Sequence, residues 1–196
     1  MNLRTVAILF ADRDSIYKTL PGVEVYDVDR DARTFPGGMP VVAHPPCRLW
    51  SCLSHFSTAP PEEKLLAPWV VEQVRKWGGV VEHPMTSRFW REPGMPALGE
   101  RDEFQGWYLP VLQWWFGHRA EKATRLYIVG LRRREVPPVP FCLGEPTHCI
   151  DRPGAARLKA EPWRGKKPWV SKRERSATPS AFAEWLVEVA RRTTPP

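Results

Sequence analysis

MPVVAHPPC, residues 39 to 47, is an apolar run that ends in two prolines and a thiol. Such a short run reads as a strand buried on both faces, and Pro45-Pro46 cannot continue a hydrogen-bonded ladder, so the chain must turn just before Cys47. Outward from it, apolar runs alternate with helical patterns. VAILF (6–10), VEVYDV (23–28), GGVVEHP (78–84, its strand ending at Glu82) and RLYIVG (125–130) read as further strands. A helix is expected from Pro60-Pro61, with Glu62 and Glu63 at its positive end and Leu65, Leu66, Trp69, Val70, Gln73, Val74 and Trp77 at helical spacing, stopped by Gly78-Gly79. A second, over residues 178–192, has Thr178 as N-cap, Pro179 at the first helical position and Phe182, Trp185, Leu186 and Val189 on one face. The alternation predicts a doubly wound α/β sheet, which places Asp27, Asp29, the HPPC turn and Glu82 at strand C-terminal ends, where open sheets bind their ligands.

The 196 residues suit one domain, and 42% hydrophobic with 26% charged residues is ordinary globular usage. No run reaches the ~20 apolar residues of a membrane span, and residues 1–10 lack signal-peptide features. The expectation is a cytoplasmic chain with no membrane partner and with Cys47, Cys52, Cys142 and Cys149 as free thiols. The net charge of +7 is concentrated: residues 131–176 hold twelve Lys plus Arg against five Asp plus Glu, and the rest of the chain balances. Rich in proline, this segment reads as a basic, loop-rich arm whose natural partner is a polyanion such as DNA. Arg132, Arg133, Arg134, Lys166 and Lys167 are its candidate nucleic-acid contacts.

Three readings compete for HPPCRLWSCLSH (44–55). His44, Cys47, Cys52 and His55 are zinc-ligand types, yet structural zinc sites pair close ligands with distant ones, and here all four would crowd into one loop; no metal is expected. Cys52 reads as a small buried hydrophobe. Cys47, held behind a rigid proline corner at the ligand-binding edge, reads as a nucleophile.

HPPC, EHP and RLYIVG, in this order, resemble the blocks of the cytosine C5 DNA methyltransferases: a Pro-Cys nucleophile loop, a Glu-containing strand end and a later strand preceded by arginine. VEVYDVDRDA is similar to the block after the second strand, and TPSAFAEWLVEVA to the C-terminal helix. The run of HPPC, EHP and WFGHRAEKATRLYIVG is similar to small phage-encoded methyltransferase-like proteins. The resemblance implies a Rossmann-like, methyltransferase-type sheet and modification of cytosine in DNA at C5, with S-adenosyl-L-methionine as donor and, for a phage protein, the host cytoplasm as location. Cys47 would add to C6, Glu82 would hold the N3 and amino edge of the base, and Arg125 would complete the catalytic set. Arg48, Arg119 or Arg125 would favour the thiolate. Phe10, Asp12, Asp27 and Asp29 would lie against the donor. His44, Pro46, Arg48, His83, Pro84, His118, Arg119 and Lys122 would line the substrate. The base would be flipped or single-stranded, with Trp50, Trp90 and Trp114-Trp115-Phe116 as stacking candidates.

Two stretches depart from the family pattern. No glycine follows Phe10 until Gly22, where a glycine-rich turn would let the donor approach the backbone, and Ala123 stands where a second arginine is expected. Donor-independent or non-methyl pyrimidine chemistry on DNA or nucleotide, and a non-catalytic DNA-binding relative, therefore remain as alternatives.

Overall fold

The computed structural model describes residues 3–150, 159–160 and 166–195. Its centre is a mixed six-stranded sheet: β1 (Val6–Leu9), β2 (Val23–Tyr26), β3 (Val41–Ala43), β4 (Gly79–Pro84), β5 (Trp107–Leu112) and β6 (Ala123–Val129), in the order β2-β1-β3-β4-β6-β5. The first four strands pair in parallel. β6 runs antiparallel to both of its neighbours, so β5 points the same way as β4. An α/β class is thereby established.

Alternation along the strands divides the core. Val6, Ile8, Val42, Val80, Leu126 and Ile128 face one side, where α3 (Ser180–Arg192) packs through Phe182, Leu186 and Val189. Ala7, Leu9, Val41, Ala43, Val81 and Tyr127 face the other, covered by α1 (Leu66–Trp77) through Ala67, Val70, Val71 and Val74. Both faces of the central strands are buried, which is why they read as continuous apolar runs rather than as alternating ones. Gly79 is essential to this closeness: its φ is +131°, and an added Cβ would lie 2.0 Å from the Val41 carbonyl oxygen.

Several boundaries move. Residues 61–65 form a 3-10 turn, and the α-helix begins at Leu66. Pro179 rather than Thr178 occupies the cap of α3, without a side-chain cap. The strand β5 was not anticipated, because Pro110 interrupts WYLPVL; it is tolerated because β5 is the sheet edge, where a missing N–H costs no ladder bond. The basic arm is partly ordered. A 3-10 turn covers Arg133–Glu135, isolated bridges join Ala120 to His148 and Cys149 to Trp169, and α2 spans Lys172–Ser176. Residues 151–158 and 161–165 of the arm lie outside the described residues. No helix among the described residues is long and apolar enough to cross a membrane.

Leu186 is fully buried between α3 and the sheet. Leu186→Ala is expected to lower unfolding free energy by about 2–5 kcal/mol in urea denaturation, with the slope unchanged.

Candidate functional site

The sheet geometry brings four strand ends to one edge: the C-terminal ends of β1, β3 and β4, and the N-terminal end of the reversed β6. The order β2-β1-β3 makes the gap between β1 and β3 a switch point, where the chain departs to opposite sides and leaves a crevice. His44 lies there, its backbone N–H donating to the Leu9 carbonyl. Three residues on, Cys47 takes φ −98° and ψ −8° at the start of a 3-10 turn, a sparsely populated bridge conformation common at functional sites. The proline corner thus presents Cys47 to solvent.

Glu82 is the electrostatic centre. Its Oε2 accepts from His44 Nδ1 at 3.0 Å, and its Oε1 accepts from Thr124 Oγ1 at 3.0 Å and, longer, from Gln113 Nε2 at 3.4 Å. Gln113 Nε2 also donates to Thr124 Oγ1 at 3.0 Å. Because a carboxylate only accepts, the His44 proton sits on Nδ1, and in the neutral ring Nε2 accepts the Tyr17 hydroxyl at 2.9 Å. Burial pushes the Glu82 carboxyl up, but the hydrogen bond and electrostatic influence of His44 and the positive charge of Lys122 outweigh it and hold the pKa at about 2. Glu82 therefore rests ionised, as an acceptor with about one lone-pair position left for a ligand.

Cys47 faces the opposite balance. Partial desolvation against its neighbours and the Glu82 charge raise its pKa, and Lys122 and Arg175 pull it back only in part, so the resting group is a thiol. The arginines expected to activate it are engaged elsewhere. Arg48 is held by both oxygens of Glu63, and Arg119 by both oxygens of Glu174. Arg125 lies over the rings of Trp90 and Tyr108, at 5.6 and 5.0 Å from their centroids.

The register explains which expected residues meet and which do not. Glu82 pairs with Leu126, His83 with Arg125 and Pro84 with Thr124, so Thr124 shares the face of Glu82 while His83 and Arg125 point to the other. His83 is 1% exposed, packed against Phe89 and Trp90, with a pKa lowered to about 4 by burial; it does not reach the substrate edge. The Pro84 carbonyl is taken by Trp90 Nε1 at 2.8 Å. His118 is buried, its Nδ1 accepting from the Ala120 N–H and its Nε2 facing the Glu174 carbonyl, so it ties a loop to α2. Trp50 and Trp90 are core residues, and Phe116 packs between Phe182 and Trp185. Cys52, expected to be buried, is exposed. Among the described residues no group of three or more His, Cys, Asp or Glu side chains is arranged to hold a metal. Tyr17, Gln113 and Thr124 were not anticipated. Thr124 was recoverable only from the β4–β6 register, and Gln113 only from recognising β5.

The acidic residues expected to hold a nucleoside donor are committed within the chain. Asp27 accepts from Lys18 Nζ at 2.5 Å and from the N–H groups of Asp29 and Arg30, and the Lys18 hydrogen bond leads in lowering its pKa to about 2. Asp29 pairs with Arg13 at 2.8 Å. Between β1 and β2 stands only a 3-10 turn, Ile16–Thr19, so no α-helix N-terminus faces the crevice there. Phe10 itself adopts φ +61°, the left-handed conformation a glycine would take, and its ring packs on Trp69. Asp12 is exposed. These residues do not fit S-adenosyl-L-methionine in the assigned position.

The basic arm divides. Lys167 pairs with Glu145 near the Ala120–His148 bridge, on the site's side, and Lys166 is exposed beside it. Arg132, Arg133 and Arg134 follow the C-terminal end of β6, which is the opposite edge of the sheet, about 20 Å of strand away. Arg132 pairs there with Glu135, and Arg133 lies over Trp107. One bound base cannot touch both ends.

No family model, curated protein or solved structure matches the chain.

Because the folded pKa of Glu82 is depressed, its stabilising contribution is present above the unfolded value near 4.5 and is lost as pH falls through about 2. Between those limits wild type should lose up to about 3 kcal/mol more stability than Glu82→Gln, read from denaturant midpoints at each pH.

Proposed function

We propose that the protein activates C5 of a cytosine in DNA, with Cys47 as nucleophile and Glu82 as the group that holds the base. The observation that carries this reading is the placement of a solvent-reachable thiol and an ionised carboxylate at the C-terminal ends of two adjacent parallel strands, β3 and β4. The strand order with its switch point between β1 and β3 supports the further reading of the sheet as Rossmann-like and methyltransferase-type.

The chemistry follows from these two groups. The Cys47 thiolate forms a bond to C6, the C5–C6 π pair shifts toward C4 and N3, and a proton from water settles on N3. Glu82, ionised at rest, accepts from N3–H at its remaining lone-pair position and from the exocyclic amino group in place of the long Gln113 contact, which favours the neutral adduct. C5 is then enamine-like and takes an electrophile; loss of the original C5 proton to a base expels the thiolate, and the N3 proton returns to water to restore the ring. His44, Thr124 and Gln113 orient Glu82 for this. The base reaches the site only if flipped or unpaired. Exposed Lys166, Lys172 and Arg173, on the arm that returns to this edge, suit the flanking phosphates.

A proton can serve as the electrophile, so the addition is testable without a donor. Wild type is expected to release tritium from DNA containing [5-3H]cytosine, and Cys47→Ala to release none while keeping salt-sensitive DNA binding. Added S-adenosyl-L-methionine distinguishes the outcomes: methyl groups incorporated in step with tritium release indicate a methyltransferase, and release without incorporation indicates other C5 chemistry. No release in either case, with binding retained, favours a non-catalytic polyanion-binding protein. Arg132, Arg133 and Arg134, at the edge away from Cys47, make that second reading specific. Their combined replacement by Ala should weaken binding of long duplex DNA and leave tritium release from a short single strand unchanged.

A further inference from the structure

We infer that residues 171–177 form a strap across the edge that carries Cys47 and Glu82, latched by Arg119 and Glu174, and that a DNA phosphate opens it by taking Arg119 from Glu174. The inference rests on the reading of this edge as the site of a polynucleotide.

The position of the strap follows from its contacts and from strand order. On one flank Arg119 grips both oxygens of Glu174, His118 Nε2 lies 3.3 Å from the Glu174 carbonyl oxygen, and Lys122 Nζ donates to the Ala177 carbonyl at 2.6 Å. His118, Arg119 and Lys122 belong to the loop that leads into the N-terminal end of β6. On the other flank Arg173 lies 3.7 Å from Asp14, just past the end of β1. β3 and β4 stand between β1 and β6 in the sheet, so their ends, with Cys47 and Glu82, lie between the two flanks that α2 joins.

The strap is fastened firmly at its ends and weakly between them. Val170 is buried and donates its N–H to the Cys149 carbonyl at 3.0 Å, and α3 follows with Phe182 and Ala183 fully buried. α2 buries no side chain of its own. The ion pairs that hold it down are exposed: the Arg173 and Asp14 side chains are 87% and 79% accessible, and that of Arg119 is 55% accessible. Such pairs contribute little and weaken with salt, so the segment can open while the core stays folded. The Arg119 fork is nevertheless set for an anion. Its Nη1 donates to His148 Nε2 at 3.1 Å, which fixes the guanidinium plane, and Nε and Nη2 point at a pair of carboxylate oxygens, an arrangement that a phosphate meets equally well. A cavity of about 150 Å³, bordered by Gly117, Arg119, Glu174 and Pro179, opens at this pair. Glu174 therefore occupies the place of a phosphate, and exchange of one anion for the other releases α2 while the guanidinium stays paired.

The test is hydrogen exchange of the peptide covering residues 170–178, followed by mass spectrometry in wild type, Glu174→Gln and Arg119→Ala, with thermal melting as the check on folding. Affinity is measured alongside with a fluorescein-labelled oligo(dT) strand, which offers phosphates but no cytosine. A helix of five residues does not persist once detached, so opening reads as faster exchange. Oligo(dT) is expected to speed exchange of this peptide in wild type. Both substitutions should speed it without oligo(dT), yet move affinity in opposite directions. Glu174→Gln should bind about threefold tighter than Glu184→Gln, which removes the same charge from the exposed face of α3, and Arg119→Ala about threefold weaker than wild type. Slower or unchanged exchange of the wild-type peptide with oligo(dT) overturns the inference, as does a shift of both variants' affinity in one direction, or binding by none of the proteins. Equal opening by inorganic phosphate at the same phosphorus content overturns the assignment to a polynucleotide. Tritium release from [5-3H]cytosine DNA, measured on the same wild-type preparation, separates the two levels. Opening without release sustains the strap and removes the cytosine reading; release with the strap unmoved does the reverse.

Discussion

The buried carboxylate of Glu82 is the constraint around which the rest of the site is arranged. An ionised group this enclosed is tolerated only if its charge and lone pairs are met, and here they are met by His44 from the end of β3, Thr124 from β6 and Gln113 from the end of β5, with Tyr17 behind His44. One side chain therefore links the β1–β2 connection to three further strands. Removing any one partner leaves a polar group buried and unpaired, which costs more than the bond itself contributes. Gln113 Oε1 is already buried without a partner. The network tolerates little further loss.

The same negative charge adds to desolvation in raising the pKa of the Cys47 thiol. A carboxylate held ionised opposes a second anion, so a thiolate at Cys47 forms against the Glu82 charge as well as against desolvation. The reversed direction of β6 brings its N-terminal end, with Lys122 just before it, to the C-terminal ends of β3 and β4. In an all-parallel sheet that position would be filled by a strand's far end, and the lysine would lie across the molecule. Strand direction thus governs the electrostatics of the site as much as residue type does.

Much of the fold was legible in residues alone. The apolar runs around Val6–Leu9, Val41–Ala43 and Gly79–Pro84 are strands because both of their faces are buried, and α1 and α3 follow from helical spacing. Cys47 and Glu82 stood out because strand ends in an open sheet are where ligands bind. What misled was context. Trp50, Trp90 and Phe116 have the composition of a stacking surface but serve as core. Arg125 has the sequence position of a substrate contact, yet two-residue periodicity turns it, with His83, to the face opposite Glu82.

By itself the sequence determined the α/β class and the strands at whose ends Cys47 and Glu82 stand, since these follow from local hydrophobic periodicity and from the rigidity of Pro45-Pro46. Only the tertiary structure decided which side chains meet them. Pairing β4 with a reversed β6 sets a register that selects Thr124 and Lys122 and excludes Arg125, and it carries Arg132–Arg134 to the far edge although they follow within ten residues of Lys122 or just beyond. Register and strand direction are long-range choices, made by hydrogen bonds between segments some forty residues apart, for example Glu82 and Leu126, and no window along the chain contains them.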